Sequence, residues 1–314
     1  MSKILYLVIP CYNEQEVLPL TKKELKEKME SLIQAKKISK ESKVMFVNDG
    51  SKDKTWELIE EYHGEDPLFV GVKLSRNKGH QNALLAGLMT AKKYADITIS
   101  MDADLQDDIN VIDKMLEENE KGSEIVYGVR SSRKKDSWFK RTTAEGFYKI
   151  MHMMGVEVVF NHADCRLMSR RALEELEKFD EVNLFLRGIV PLIGFQTSIV
   201  TYERNERAAG ESKYPLKKML SFAWDGITSF SVKPLKMITT MGFIMLFISI
   251  IMIIYTIIVK ILGNTVDGWA FIMLSIWFIG GVQLVSVGLI GEYVGKMYNE
   301  TKHRPRYIIE KELK

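Results

Sequence analysis

The most telling residues are Asp102-Ala103-Asp104-Leu105-Gln106, which directly follow the apolar run 96–101. On an extended chain, residues two apart face the same way. Asp102, Asp104 and Gln106 would then present oxygen atoms to one point. Hard divalent cations take such ligands, and Mg²⁺ usually completes its shell with phosphate oxygens and water. The spacing predicts a site for Mg²⁺ or Mn²⁺ beside a phosphorylated substrate, against the plainer reading of a solvated acidic turn. Asp49-Gly50-Ser51 follows a second apolar run, 43–48. A carboxylate at a strand end can accept hydrogen bonds from a ribose or a base; the same residues could equally cap the next helix. Neither GxGxxG nor GxxxxGK[ST] occurs, so dinucleotide redox chemistry and P-loop phosphate transfer lose their usual warrant. A diphosphate would be held by metal and basic side chains.

These clusters need a scaffold, and the first 130 residues supply one. Apolar runs at 4–10, 43–48, 68–74, 96–101 and 123–128 alternate with helical patterns at about 14–35, 54–62, 79–94 and 111–121. Strands alternating with helices of this length imply βαβ crossovers and a mostly parallel α/β sheet. Such sheets bind ligands at the carboxyl ends of their strands. Polar clusters stand at four of those ends: Cys11–Glu14, Asp49–Ser51, Ser75–Gly79 and Asp102–Gln106.

Later the chain changes character. Residues 237–259 and 268–291 carry no charge, and at 1.5 Å per residue each run can cross a hydrocarbon core of roughly 30 Å. The N-terminal apolar run is too short for a signal peptide. Lysines precede the first run (Lys213, Lys217, Lys218, Lys233, Lys236), and Lys296, Lys302, Arg304 and Arg306 follow the second. Both termini are therefore expected in the cytoplasm, with a multi-pass anchor in the cell membrane. The expected domains are a cytoplasmic sheet domain over 1–210, a juxtamembrane amphipathic helix over 211–234, a two-helix transmembrane hairpin over 235–292 and a tail over 293–314. The net charge of +3 gives no argument for nucleic acid, and the two cysteines, Cys11 and Cys165, give none for a disulfide. A homo-oligomer is left open.

Taken in order, Pro10-Cys11-Tyr12-Asn13-Glu14, Asn48-Asp49-Gly50-Ser51, Arg76-Asn77-Lys78-Gly79 and Asp102-Ala103-Asp104-Leu105-Gln106 resemble family 2 glycosyltransferases of the GT-A fold. The paired C-terminal runs narrow the resemblance to the polyisoprenyl-phosphate glycosyltransferases, the group that includes dolichyl-phosphate mannose synthase and bacterial undecaprenyl-phosphate glucosyltransferases. The resemblance implies that Pro10, Tyr12, Asn13, Glu14, Asp49, Ser51, Lys78, Gly79 and Asp102 contact a nucleotide sugar. It implies metal ligation by Asp102, Asp104 and Gln106. Arg130 and Arg141 would contact the phosphate of a polyprenyl acceptor. Arg207, Ser212 and Lys213, in a motif that closes the site near the membrane, would join them. Asp164, in His162-Ala163-Asp164-Cys165-Arg166, matches an acidic position near the acceptor.

The implied reaction is transfer of a hexose or N-acetylhexosamine, with inversion, from a UDP-sugar to undecaprenyl phosphate. An anionic phosphate acceptor needs no strong general base, so no catalytic histidine is sought. A hydroxyl acceptor on another lipid or a protein would need one, and Asp164 could serve. A non-catalytic membrane scaffold is the rival from another class, and the retained carboxylates count against it. The QxxRW motif of processive synthases is missing, which predicts single transfers.

Overall fold

The computed structural model describes residues 2–130, 162–182, 184–203, 227–228, 231, 233–262 and 268–314. They fall in two compact units, one drawn from Met1–Tyr148, Glu157–Leu216 and Arg304–Lys314, the other from Lys149–Val156 and Lys217–His303.

The first unit is built on an eight-stranded sheet. Its strands are β1 (Leu5–Cys11), β2 (Lys43–Asn48), β3 (Phe69–Leu74), β4 (Ile97–Ser100), β5 (Ile125–Arg130), β6 (His162–Ser169), β7 (Thr197–Tyr202) and β8 (Ile309–Leu313). The order across the sheet is β7-β5-β6-β4-β1-β2-β3-β8. Pairs β1–β2, β1–β4, β2–β3 and β5–β7 are parallel, while β6 and β8 run antiparallel to their neighbours. The α/β, mostly parallel architecture expected from the strand–helix alternation is present. All seven residues of β1 are buried, as an unbroken apolar strand must be when helices cover both faces.

Helices α1 (Leu18–Gln34), α2 (Thr55–Glu65), α3 (His80–Ala91) and α4 (Val111–Glu120) connect the first five strands. Helix α1 buries Leu18, Thr21, Leu25, Met29 and Leu32, one stripe at helical spacing. Helix α3 lies closer to the sheet than a side chain would allow. A Cβ on Gly87 would stand 2.5 Å from Val8 Cγ1 and 2.6 Å from Val47 Cγ2. That approach sets the height of its first turn, where the site is built. Two short helices, α5 (Arg170–Glu177) and α6 (Leu186–Leu192), follow β6.

Two expectations change. The stretch after β4 is not extended: the strand ends at Ser100, and a turn begins at Ala103 with Leu105 at φ +54°. Two-residue alternation therefore does not aim Asp102, Asp104 and Gln106 at one point. The tail expected over 293–314 is also more than a tail, because Ile309–Leu313 forms β8 on the edge of the sheet. Leu313 packs on the core there, and Arg306 Nη1 donates to the Phe179 carbonyl at 2.7 Å.

The second unit contains α7 (Lys233–Ile261) and α8 (Trp269–Thr301). Phe243, Phe247 and Leu284 are each about two thirds exposed or more. Among the described residues one segment, Phe278–Thr301, is long and apolar enough to cross a membrane by length and composition. Tyr293 OH donates to the Ser231 carbonyl at 2.5 Å within this unit.

Candidate active site

The carboxyl ends of β1, β2, β3 and β4 carry the loops that form the site. The first two interlock. Asn13, at φ +53°, donates its N–H to Ser51 Oγ at 3.0 Å, and its Oδ1 accepts from Lys52 N at 2.9 Å. Glu14 N donates to Thr55 Oγ1 at 2.9 Å. Pro10 is buried in β1, whereas Tyr12 stands more than a third exposed at the loop. Ser51 is thus engaged in joining the two loops.

Asp49 is buried, and its two oxygens accept from Lys78 N at 2.7 Å and Gly79 N at 2.9 Å. Burial raises its pKa, with those two amides pulling the other way. Its visible partners are backbone groups, so the carboxylate fastens the β3–α3 loop. Gly50 completes the junction at φ +64°: a Cβ would stand 2.4 Å from Asn77 N and 2.5 Å from the Arg76 carbonyl carbon. Only glycine combines that dihedral with that approach.

Asp104 is nearly buried, and its Oδ1 accepts from Gln106 N at 3.2 Å, closing the turn after β4. Asp102 meets other partners. His80, the first residue of α3, places Nε2 3.7 Å from Asp102 Oδ1 and 3.4 Å from Asp164 Oδ2. That buried nitrogen makes no hydrogen bond among the described residues. Asp164 arrives on β6, whose pairing of Arg166 with Ser100, continued two residues, sets Asp164 opposite Asp102. Ser100 Oγ donates to the Asp164 carbonyl at 2.5 Å. On the far side Arg187, from α6, grips both Asp164 oxygens, Nε to Oδ1 and Nη2 to Oδ2, each at 3.1 Å.

The charges fit this arrangement. Desolvation lifts the Asp102 carboxyl to about 6; His80 opposes it, while Asp164, Asp107 and Asp104 add to it. Desolvation also lowers His80, but the Asp164 and Asp102 carboxylates outweigh it and carry the imidazole up to about 9. Asp164 is desolvated too, yet Arg187 and His80 hold its carboxyl well below the usual range.

One ligand atom from each of His80, Asp102 and Asp164 lies within 4.8 Å of the others, and this donor set suits a divalent cation that displaces the His80 proton. The cluster differs from the expected triplet: Asp102 is shared, His80 and Asp164 join it, and Asp104 and Gln106 shape the turn beside it. The absence of a catalytic histidine from the expected chemistry left His80 unnoticed, although it directly follows Gly79 in a quoted motif. Arg187 had no comparable signal. Arg130 closes β5, paired with Tyr202. Arg141, Arg207, Ser212 and Lys213 lie outside the described residues.

Comparison with known proteins identifies the family. The family model Glycosyl transferase family 2 matches residues 6–177, and GtrB C-terminal hairpin matches 233–297. Glycosyltransferase YkoT of Bacillus subtilis is 54% identical over 99% of this chain and 92% of its own. The bactoprenol glucosyl transferase of Shigella phage SfV is 42% identical over 98% of each chain. A prophage bactoprenol glucosyl transferase homolog of Escherichia coli is 41% identical over 97% of this chain and 98% of its own. With a family model over more than half of its length and such relatives end to end, this chain is a glycosyltransferase and belongs to glycosyl transferase family 2.

Proposed function

We propose that this protein transfers glucose from UDP-glucose to a polyprenyl phosphate, with inversion at the anomeric carbon. The observation that carries the acceptor class is the fork between Arg187 and Asp164. A hydroxyl acceptor needs a base, and Asp164 is the placed carboxylate. Both of its oxygens are held by Arg187, which with His80 keeps the carboxyl well below the usual carboxylate range, so it is a weak base whose lone pairs are already engaged. A phosphate monoester is already anionic and needs no such base. Glucose and the polyprenol rest on the bactoprenol glucosyl transferases at 41–42% identity over nearly the whole chain.

In this reading a phosphate oxygen attacks the anomeric carbon and forms the new C–O bond. The bond from that carbon to the diphosphate breaks, and its electron pair leaves with the nucleoside diphosphate. Asp102, with Asp104 beside it, and His80 would hold Mg²⁺ or Mn²⁺, which when bound offsets charge growing on the leaving diphosphate. Pro10, Tyr12, Asn13 and Glu14, with the loop that Asp49 fastens, form the donor side. Arg130 is assigned to the acceptor phosphate, since a guanidinium matches phosphate oxygens with two parallel bonds; Arg141, Arg207, Ser212 and Lys213 are assigned with it.

The protein is assigned to the cell membrane with two spans and both termini in the cytoplasm. Helices of 29 and 33 residues reach roughly 44 and 50 Å. The chain leaves one sheet after β7 and rejoins it at β8, which supports an even number of crossings. Purified protein incubated with undecaprenyl phosphate and a panel of UDP- and GDP-sugars is expected to yield one glycolipid by mass, glucosyl phosphate undecaprenol from UDP-glucose. Transfer to diacylglycerol instead would overturn the acceptor, and transfer from another donor alone would overturn the sugar.

A further inference from the structure

Arg187 grips Asp164 from the side away from His80 and belongs to none of the motifs that define the donor or acceptor sides. Its helix is braced: the Leu186 N–H donates to Gln81 Oε1 at 2.8 Å, so the first turn of α6 is tied to α3 one residue from His80. The guanidinium therefore reaches Asp164 from a fixed point, and less than a third of either side chain is exposed.

We propose that Arg187 is a positioning residue that withholds Asp164 from the cation cluster, so that a divalent ion binds firmly only together with a diphosphate. The inference rests on the reading of the site as one for a diphosphate sugar and a cation. Without Arg187, the cluster would offer an imidazole and two carboxylates within 4.8 Å of one another, a donor set able to hold a cation unaided. With Arg187, both Asp164 oxygens are directed into the fork, and a permanent positive charge stands 3.1 Å behind them. An incoming cation meets Asp102, which faces His80 at 3.7 Å with Asp104 beside it, and an opposing charge at close range. Hard ions in such a position complete their shell from substrate phosphate oxygens. The consequence is an order of events: cation and donor enter as a unit, and the cation departs with the released nucleoside diphosphate. A site that kept its ion after turnover would also retain the product.

The test is Mn²⁺ binding to the full-length purified protein, read from the electron paramagnetic resonance signal of free Mn²⁺, with no nucleotide present. Arg187→Met is expected to bind Mn²⁺ at least fivefold more tightly than the wild type. Arg187→Lys keeps the charge and is expected within twofold of the wild type. Arg187→Met combined with Asp164→Asn should lose the gain, because the released carboxylate is gone. Adding UDP should tighten the wild type and narrow its gap from Arg187→Met. Should Arg187→Met fail to fold, Arg187→Gln takes its place with the same expectation. Unchanged or weaker binding in the folded, charge-free variant overturns the proposal, as does a gain that survives in the double variant. A wild type that shows this Mn²⁺ pattern yet makes no polyprenyl-linked sugar would remove the proposed function and leave the role of Arg187 standing.

Discussion

Replacing Asp49 separates two roles that its position allows. Its carboxylate accepts from Lys78 N and Gly79 N at 2.7 and 2.9 Å, and almost none of the residue is exposed. Asp49→Ala leaves both amides without an acceptor. A buried donor left unsatisfied costs about 1–3 kcal/mol, so the pair costs about 2–6 kcal/mol. Two facts favour the lower half. Lys78 and Gly79 are only partly buried, so water can reach them, and burial already raises the pKa of the carboxyl, so its removal relieves a desolvation cost. We expect about 2–4 kcal/mol for Asp49→Ala and about half for Asp49→Asn, which keeps one acceptor but turns an amide N–H₂ toward a backbone N–H. At about 2–4 °C per kcal/mol for a domain of this size, the alanine variant should melt about 5–15 °C below the wild type. The assay is thermal unfolding in detergent, followed by donor KM and kcat well below the melting point. Both should worsen, because the fastened loop leads straight into His80. An Asp49→Asn variant that melts like the wild type and loses only donor affinity would refute this reasoning and return the carboxylate to the nucleotide.

Gly50→Ala should be more damaging than its size implies, since the new methyl meets backbone at 2.4–2.5 Å where nothing can rotate away; little folded protein on size exclusion is expected, and a soluble, active variant would refute the junction. Ending the chain at Pro305 removes β8 and should lower the melting point by at least about 5 °C through the lost β3 pairing and Leu313 packing, with the anchor intact; an unchanged melting curve would make the strand ornamental. A reporter at Asn264 should read outside the cytoplasm while reporters at both termini read inside, and a cytoplasmic signal at Asn264 would exclude a spanning hairpin.

The first five strands and four helices were legible because each is governed by local signals. Buried parallel strands are continuous apolar runs, and the helices between them carry one apolar stripe; the observed ends differ from the expected ones by a few residues. The signal fails where burial and hydrophobicity part company. Strand β6 lies in the middle of the sheet but reads His-Ala-Asp-Cys-Arg-Leu-Met-Ser, with Asp164 and Arg166 inside it. Asp164 serves the cleft and Arg166 is buried with its guanidinium over the Tyr127 ring, so the strand's composition hides it. Strand β8 reads Ile-Glu-Lys-Glu-Leu, charged as exposed edge strands commonly are, and so passes for a tail. Its pairing spans more than 200 residues, beyond the reach of any local pattern. It also means that cutting the chain before the hairpin removes a strand of the sheet, so anchor and sheet cannot be separated by truncation alone.

The site shows the same division. Each polar loop is visible as a cluster after an apolar run, and spacing alone points to Asp102 as a candidate cation ligand. What spacing could not supply was the set of groups facing it. The alternation argument assumed a chain still extended beyond Ser100, and the turn with Leu105 at φ +54° removed that assumption. The true partners come from elements that sequence distance keeps apart: His80 from the first turn of α3, Asp164 from an antiparallel strand 62 residues after Asp102, and Arg187 from a seven-residue helix beyond it. Antiparallel pairing is what makes the meeting possible. A parallel strand in the place of β6 would need its polar residues after its carboxyl end, in a loop, to reach the cleft. Running the other way, β6 enters the sheet at that edge, and its first residues form the site. Asp164 is therefore held by the sheet itself, with its carbonyl on Ser100 and its carboxylate between His80 and Arg187. A carboxylate fixed at so many points suits holding charge in place more than carrying a proton, which is why an acceptor that arrives already ionised fits this cleft.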